Sequence, residues 1–270
     1  MLKDSPHLTS SKRSYLIAVT CGAMIQHGIV LLVAGALLPS MMRAFDIREG
    51  AAGILLGAGA LGFAIGPLLS GLLTDHKGAR ASFIVGLGAE IFLLAAMGFA
   101  PTFAAAVAAF FLLNLAAGFV ETSVNIVPML VGNGKSGSLM NLVHMFFSVG
   151  AFMSPVLAGL LLQATGDWRP VWWLTIAPTV MLLVAVLALR FPQVAKAEAS
   201  AAAPRPNMFQ VLRERAILLG AIAMMLYVAA EFGASNWITL YLEKQLGFQT
   251  LAATSGLSVR SQTTASWFQV

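Results

Sequence analysis

The sequence predicts an all-α polytopic membrane protein, and three observations carry that expectation. Of 270 residues, 59% are hydrophobic and 10% charged, against roughly 25% charged in soluble domains, and the mean hydropathy is +0.85. Seven apolar runs, at 15–42, 51–74, 81–100, 102–131, 139–164, 170–189 and 216–242, are each long enough to cross ~30 Å of hydrocarbon, which takes about 20 helical residues. The runs are continuous and rich in Gly, Ala and Leu, without the period-two alternation of a spanning barrel, so helices are the expected solution.

Residues 1–14 read as a cytoplasmic N-terminus. The first run lacks a short apolar core followed by an A-x-A site, so it reads as an uncleaved span and not a signal peptide. It carries Gln26 and His27 near its middle, and Cys21, the single cysteine. One cysteine excludes an intramolecular disulfide, and within a span it is expected to pack. Residues 15–189 form a six-helix unit joined by short connections. The stretch 190–215, FPQVAKAEASAAAPRPNMFQVLRERA from its second residue on, is rich in Ala, Pro and charge and reads as a cytoplasmic linker. A seventh span at 216–242 follows. The tail, 243–270, is polar without period in its last part, as expected either of a truncated or frame-shifted reading or of a natural disordered C-terminus.

The isoelectric point near 9.7 raises the question of a nucleic-acid partner, and the placement of the cations answers it. With the N-terminus inside, the inner segments hold eleven Lys and Arg (3, 12, 13, 77, 80, 135, 190, 196, 205, 213, 215). The outer segments hold four (43, 48, 169, 244). That bias is the positive-inside pattern, so basicity reports an N-in orientation, expected in a cell inner membrane, and no nucleic acid.

Polar groups inside the spans are the candidate site, because ionisable residues at membrane depth mark pathways and cost several kcal/mol, as an order of magnitude, if they face lipid. Asn114, Gly118, Glu121, Asn125 and Pro128 fall on one face of span four. A carboxyl group in that position would suit proton coupling; the alternative is a permanently protonated Glu121 bonded to a neighbouring helix. Asn141, His144 and Ser148 share a face of span five, and a plain helix–helix hydrogen bond would also explain them. His27 titrates in the physiological range when unperturbed, or serves as a packed hydrogen-bonding group. On span seven, Tyr227, Glu231, Ser235 and Ile238 lie roughly on one face with Asn236 and Trp237 beside it. Amides and acids hold sugar hydroxyls and aromatics stack on sugar rings, whereas Trp237 and Tyr241 would equally serve as interfacial anchors. Glu90 in span three lacks polar neighbours and is expected at a helix contact.

Between spans two and three lies GPLLSGLLTDHKGAR, 66–80. Gly66 and Gly71 would let helices approach closely, Asp75 would favour the positive end of span three, Gly78 would permit a tight turn, and Arg80 is placed to pair with Asp75. The string resembles the signature loop of the major facilitator superfamily, G-x-L-x-D-R-x-G-R-R: Gly71, Leu73, Asp75, Gly78 and Arg80 match, while His76 and Ala79 replace basic residues. The resemblance implies a conformational role for Gly71, Asp75, Gly78 and Arg80, bracing two halves in one state of alternating access. It also implies an architecture: the N-terminal six-helix half of a major facilitator fold plus the first helix of the C-terminal half. AAGFVETSVNIV, NLVHMFFSVGAFMSPVLAG and YVAAEFGASNWITLYL look like the fucose–galactose–glucose:proton symporter group, in which span four carries an acid followed by Asn. By that resemblance Glu121 is the coupling carboxylate. Where the fucose-type member has a second acid in span one, this chain has Gln26 and His27.

The sequence holds no Cys/His metal spacing, no nucleophile elbow and no G-x-x-x-x-G-K-[ST] phosphate loop. The expectation is therefore no enzyme and no cofactor, with a gradient of H⁺ (or Na⁺) as the energy source and a sugar or similar small-molecule solute as cargo. Another small organic solute or drug is the alternative cargo, and a non-transporting truncated membrane protein is the rival class.

Overall fold

A computed structural model of the chain describes residues 10–132, 134–189, 191 and 214–248. Most of the linker expected at 190–215, and the tail from 249 on, lie outside the described residues. Among the described residues eight helices follow one another: α1 (Ser10–Phe45), α2 (Glu49–Lys77), α3 (Ala79–Gly98), α4 (Phe103–Val131), α5 (Ser136–Thr165), α6 (Arg169–Leu174), α7 (Ile176–Ala188) and α8 (Arg215–Leu246). Among the described residues there is no strand, and α6 with α7 makes one span, so seven spans are long and apolar enough to cross a membrane.

Two features of the chain set the boundaries. Thr102 caps α4, its hydroxyl accepting from the Ala105 amide at 3.2 Å. Span six breaks at Thr175 because Pro178, in the first turn of α7, has no N–H to continue α6 and its ring would collide with the carbonyl four residues back. The inner connection expected at 66–80 is mostly helix: α2 runs to Lys77 and the link is Gly78 alone, at φ 84, a left-handed conformation that favours glycine. Arg80 does not pair with Asp75. Its Nη2 donates to the Leu187 carbonyl at 2.8 Å, at the C-terminus of α7, where the helix dipole attracts a cation. Arg13 does the same for α4, its Nε donating to the Val131 carbonyl at 2.8 Å. Asp75 is exposed in the last turn of α2.

α1 packs along α5, and α2 along α4, with α3 and α7 outside them. In hydrocarbon there is little hydrophobic gain from burying Leu against Leu, so close backbone approach has to supply the contact. At the α1–α5 crossing a Cβ on Gly28 would lie 2.8 Å from the Ala151 nitrogen, and one on Gly150 would lie 2.9 Å from the Ile25 Cα. At the α2–α4 crossing a Cβ on Gly118 would lie 2.8 Å from the Gly66 Cα. Gly66 thus makes the contact expected of it, whereas Gly71 faces open space.

The buried apolar side chains form two clusters. One runs from Val30 to Met42 on α1 and meets Leu94, Leu113, Ala158 and Trp172; the other holds Leu16 to Met24, Leu87, Val120 and Val143. Between them, at mid-length, lie the buried polar residues Gln26 and His27 of α1, Glu90 of α3, Asn114 of α4, Ser154 of α5, and Thr175 with Thr179 beside the break in span six. The bundle is two apolar ends separated by a polar layer.

Adding a methyl group at the α1–α5 crossing tests this packing. Gly150→Ala should destabilise the detergent-solubilised protein by about 1–3 kcal/mol, the range for overpacking, and lower its thermal midpoint. Gly71→Ala, at an open helical position, should leave the midpoint unchanged or raise it slightly.

Candidate functional site

The polar layer brings together residues far apart in sequence. His27 is almost fully buried, with a side-chain exposure of 1%, and its Nε2 lies 3.2 Å from Glu121 Oε2, whose side chain is 22% exposed. The approach is an ion-pair contact off the line of an aligned hydrogen bond, so neither His27 ring nitrogen makes a hydrogen bond. Glu121 Oε1 accepts from Asn125 Nδ2 at 2.8 Å, one turn along α4. Asn125 Oδ1 in turn lies 2.9 Å from Nε2 of His144 on α5. Because the amide nitrogen donates to Glu121, the amide oxygen is left to accept, so this arrangement needs a proton on His144 Nε2. The result is a four-residue chain from sealed His27 through half-exposed Glu121 and Asn125 to exposed His144.

The glycine crossings place this chain. Gly28 and Gly150 press α1 onto α5 beside His27, and Gly118 presses α4 onto α2 less than one turn before Glu121. The His27 ring has Phe63 of α2 and Phe147 of α5 at centroid distances of 6.0 Å each. Sequence reasoning did not single out these two phenylalanines, since nothing distinguishes them from the other apolar residues of their spans.

The other candidates divide. Gln26, next to His27, points elsewhere: its Nε2 donates to the Thr175 carbonyl at 2.9 Å and to Thr179 Oγ1 at 2.8 Å, tying α1 to the break in span six. Asn114 donates to the Phe110 carbonyl of its own helix at 2.9 Å and faces α2 at Gly59. Asn141 is exposed near the start of α5. Glu90 is buried to 1% exposure, and its Oε1 has no partner. On α8, Glu231 is half-buried and hydrogen-bonded to the Tyr227 hydroxyl. Asn236 and Trp237 lie where α8 meets the bundle, Asn236 against Gly35 of α1 and Trp237 beside Gly53 of α2.

α8 touches the bundle along one part only. Thr239 and Leu240 are buried, and two ion pairs close the far end: Arg43 with Glu243 at 3.0 Å, and Lys244 with Glu49. From Arg215 to Leu226 the described side chains of α8 are exposed. The layer therefore lies under a contact closed at the end away from the N-terminus. No Lys or Arg reaches it among the described residues; all stand at or near helix ends. Nor do the described residues contain a group of His, Cys, Asp and Glu able to hold a metal ion.

A family profile described as Major Facilitator Superfamily matches residues 18–261. The chain belongs to the major facilitator superfamily. A cis,cis-muconate transport protein of Acinetobacter baylyi is 24% identical over 241 residues, 84% of this chain and 57% of the relative. The fold is shared with a bacterial homologue of the human lysosomal transporter Spinster, at TM-score 0.78 and 14% identity over 96% of this chain and 61% of that one. It is shared also with a D-xylose–proton symporter, at TM-score 0.65 and 15% identity over 95% of this chain and 67% of that one. The superfamily chain described here thus spans less than two thirds of the muconate transport protein and of the Spinster homologue, and its helices correspond to the N-terminal half of the fold with one helix more.

The ion pairs at the far end are exposed or nearly so, a setting in which each is worth roughly 0.2–1 kcal/mol, so their loss should loosen the contact without unfolding the bundle. Arg43→Glu should lengthen the distance between spin labels at Ala44 and Gln245, read by pulsed EPR, and adding Glu243→Arg should restore it. An unchanged distance in Arg43→Glu would show that the pair does not hold α8.

Proposed function

We propose that this chain supplies the N-terminal half, and the first helix of the other half, of a proton-coupled secondary transporter that moves a sugar or similar neutral solute by alternating access. The observation that carries the reading is Glu121, half-exposed in the polar layer and joined to His27 on one side and through Asn125 to His144 on the other. A carboxylate touching one imidazole and joined through an amide to a second is equipped to take up and release protons. Na⁺ prefers a shell of oxygen ligands, and two of the four side chains here offer ring nitrogen. A neutral, hydroxyl-rich cargo suits a layer of amides, hydroxyls and carboxylates with no Lys or Arg among the described residues. The likeness of AGFVETSVNIV and its companions to the fucose–galactose–glucose:proton symporter group supports the same cargo.

The positive-inside bias supports an inner-membrane protein with a cytoplasmic N-terminus. In that orientation the ion pairs of α8 close the outer mouth, and the exposed first half of α8 leaves the polar layer open to the cytoplasm. Asp75 and Arg80, exposed and helix-capping respectively, then lie on the inner face, where the signature loop is expected to brace the halves. A second reading keeps the fold and the proton but changes the cargo to an organic acid, and the relative named for cis,cis-muconate favours it. Carboxylate cargo would then depend on protonated His27 or His144 for its positive charge.

The test is uptake into liposomes holding a full-length version of the transporter, with labelled hexoses, pentoses and cis,cis-muconate offered under an inward proton gradient. Glu121→Gln should abolish accumulation against a gradient while sparing counterflow of the same solute. Unimpaired accumulation in that variant would refute the coupling role, and preference for muconate over every sugar would select the second reading.

A further inference from the structure

Glu121 has one oxygen committed and one in question. Oε1 accepts from Asn125 Nδ2 at 2.8 Å. Oε2 faces His27 Nε2 at 3.2 Å. Two bare lone pairs at that distance repel, and two protons in the gap would collide, so the gap holds one proton. A small rotation of the imidazole about its Cβ–Cγ bond would align the two atoms.

We propose that the coupling site is this pair and not Glu121 alone: a single proton is shared between Glu121 Oε2 and His27 Nε2, with Glu121 as the member that meets solvent and His27 as the member sealed behind it. The proposal rests on the reading of Glu121 as the coupling acid. With the ring's own hydrogen on Nδ1, the Oε2–H bond breaks as the Nε2–H bond forms, and no other proton moves. The pair passes between carboxylic acid with imidazole and carboxylate with imidazolium at constant net charge. The proton leaves from Oε2 to water on the exposed side of Glu121, and uptake is the reverse.

The surroundings give the two members different access. His27 has a side-chain exposure of 1% against 22% for Glu121. Phe63 and Phe147 flank its ring, and both of its ring nitrogens are buried without a hydrogen bond.

Few other charges act on the pair; α3, packed on α4, carries the buried Glu90 at mid-helix and Arg80 at its start. From α5 comes His144, which reaches Glu121 through Asn125 and is close enough to act on His27. α2 carries ionisable residues only near its ends, Glu49 and Asp75 to Lys77, and α7 carries none. α8 carries Glu231, bonded to Tyr227, at mid-helix, and its remaining charges, Arg215, Glu243 and Lys244, lie near its ends. α1 itself has Lys12, Arg13 and Arg43 near its ends.

The test uses protons alone and needs no cargo. The 270-residue chain, labelled with ¹⁵N-histidine, is placed in lipid nanodiscs, and the His27 signal, assigned by its loss in His27→Gln, is followed against pH. In Glu121→Gln the imidazolium loses its carboxylate, so the His27 midpoint should fall by one pH unit or more, a tenfold change in proton affinity. In Glu121→Asp the midpoint should recover part of the way. An unchanged His27 midpoint in Glu121→Gln would overturn the proposal. A second measurement needs no variant of Glu121: in the native chain the infrared band of a protonated carboxyl should titrate together with the His27 signal. Two separate midpoints would also overturn it. Failure of sugar uptake would leave both results standing, so the two readings fall separately.

Discussion

A polar group inside hydrocarbon has no water to fall back on, and the mid-length layer of this bundle is organised by that constraint. Two apolar clusters fill the ends, and ionisable and amide side chains collect between them. Gln26 donates through its amide nitrogen to Thr175 and Thr179 while its Oε1 has no partner, Asn114 donates to its own helix, Ser154 donates to the Ile29 carbonyl at 2.8 Å, and Glu90 Oε1 is unpartnered. Glu121 and His27 meet at 3.2 Å, and neither ring nitrogen of His27 makes a hydrogen bond. What sets the site apart from the polar contacts around it is that two ionisable side chains from different helices meet there, and a partly bonded pair of that kind is where a proton or a ligand enters.

Close packing serves this arrangement. Gly28 with Gly150 and Gly66 with Gly118 let backbones touch, and the residues just beyond those crossings, His27 and Glu121, are thereby set at fixed height and within reach of each other. Cations are kept out of the layer by a different means: Arg13 and Arg80 are drawn to carbonyls at the C-termini of α4 and α7, where the helix dipole gives them a partner. The same residues that report orientation in the sequence therefore also close helix ends in the fold.

The spans were legible because hydrocarbon thickness leaves a length and composition signal that no tertiary contact overrides, and the stripe through Glu121 and Asn125 was legible from helical period alone. What period shows is a face, and it cannot say which helix lies across from it. The pairing of His27 with Glu121 spans 94 positions (121 minus 27) and depends on crossings set by glycines that look alike in sequence; Gly66 makes a contact and Gly71 does not. Gln26 and His27 are neighbours in the chain, yet a turn of about 100° per residue sends one to the break in span six and the other to Glu121. Arg80 was expected on Asp75 by proximity and instead took the α7 terminus, where unpaired carbonyls and the helix dipole give it a partner from another helix that sequence adjacency does not reveal. The break at Thr175 did have a signal, Pro178, within a run otherwise apolar enough to read as one helix.

The central claim is that His27 and Glu121 form one unit across two helices. A double-mutant cycle on stability tests it most directly, comparing the native chain with His27→Gln, Glu121→Gln and the double variant in detergent or bilayer unfolding. Residues in direct contact show coupling of about 0.5–3 kcal/mol, and distant ones add to within about 0.3–0.5 kcal/mol. The geometry predicts clear coupling, with the double variant less damaged than the sum of the single ones. Strict additivity would contradict it.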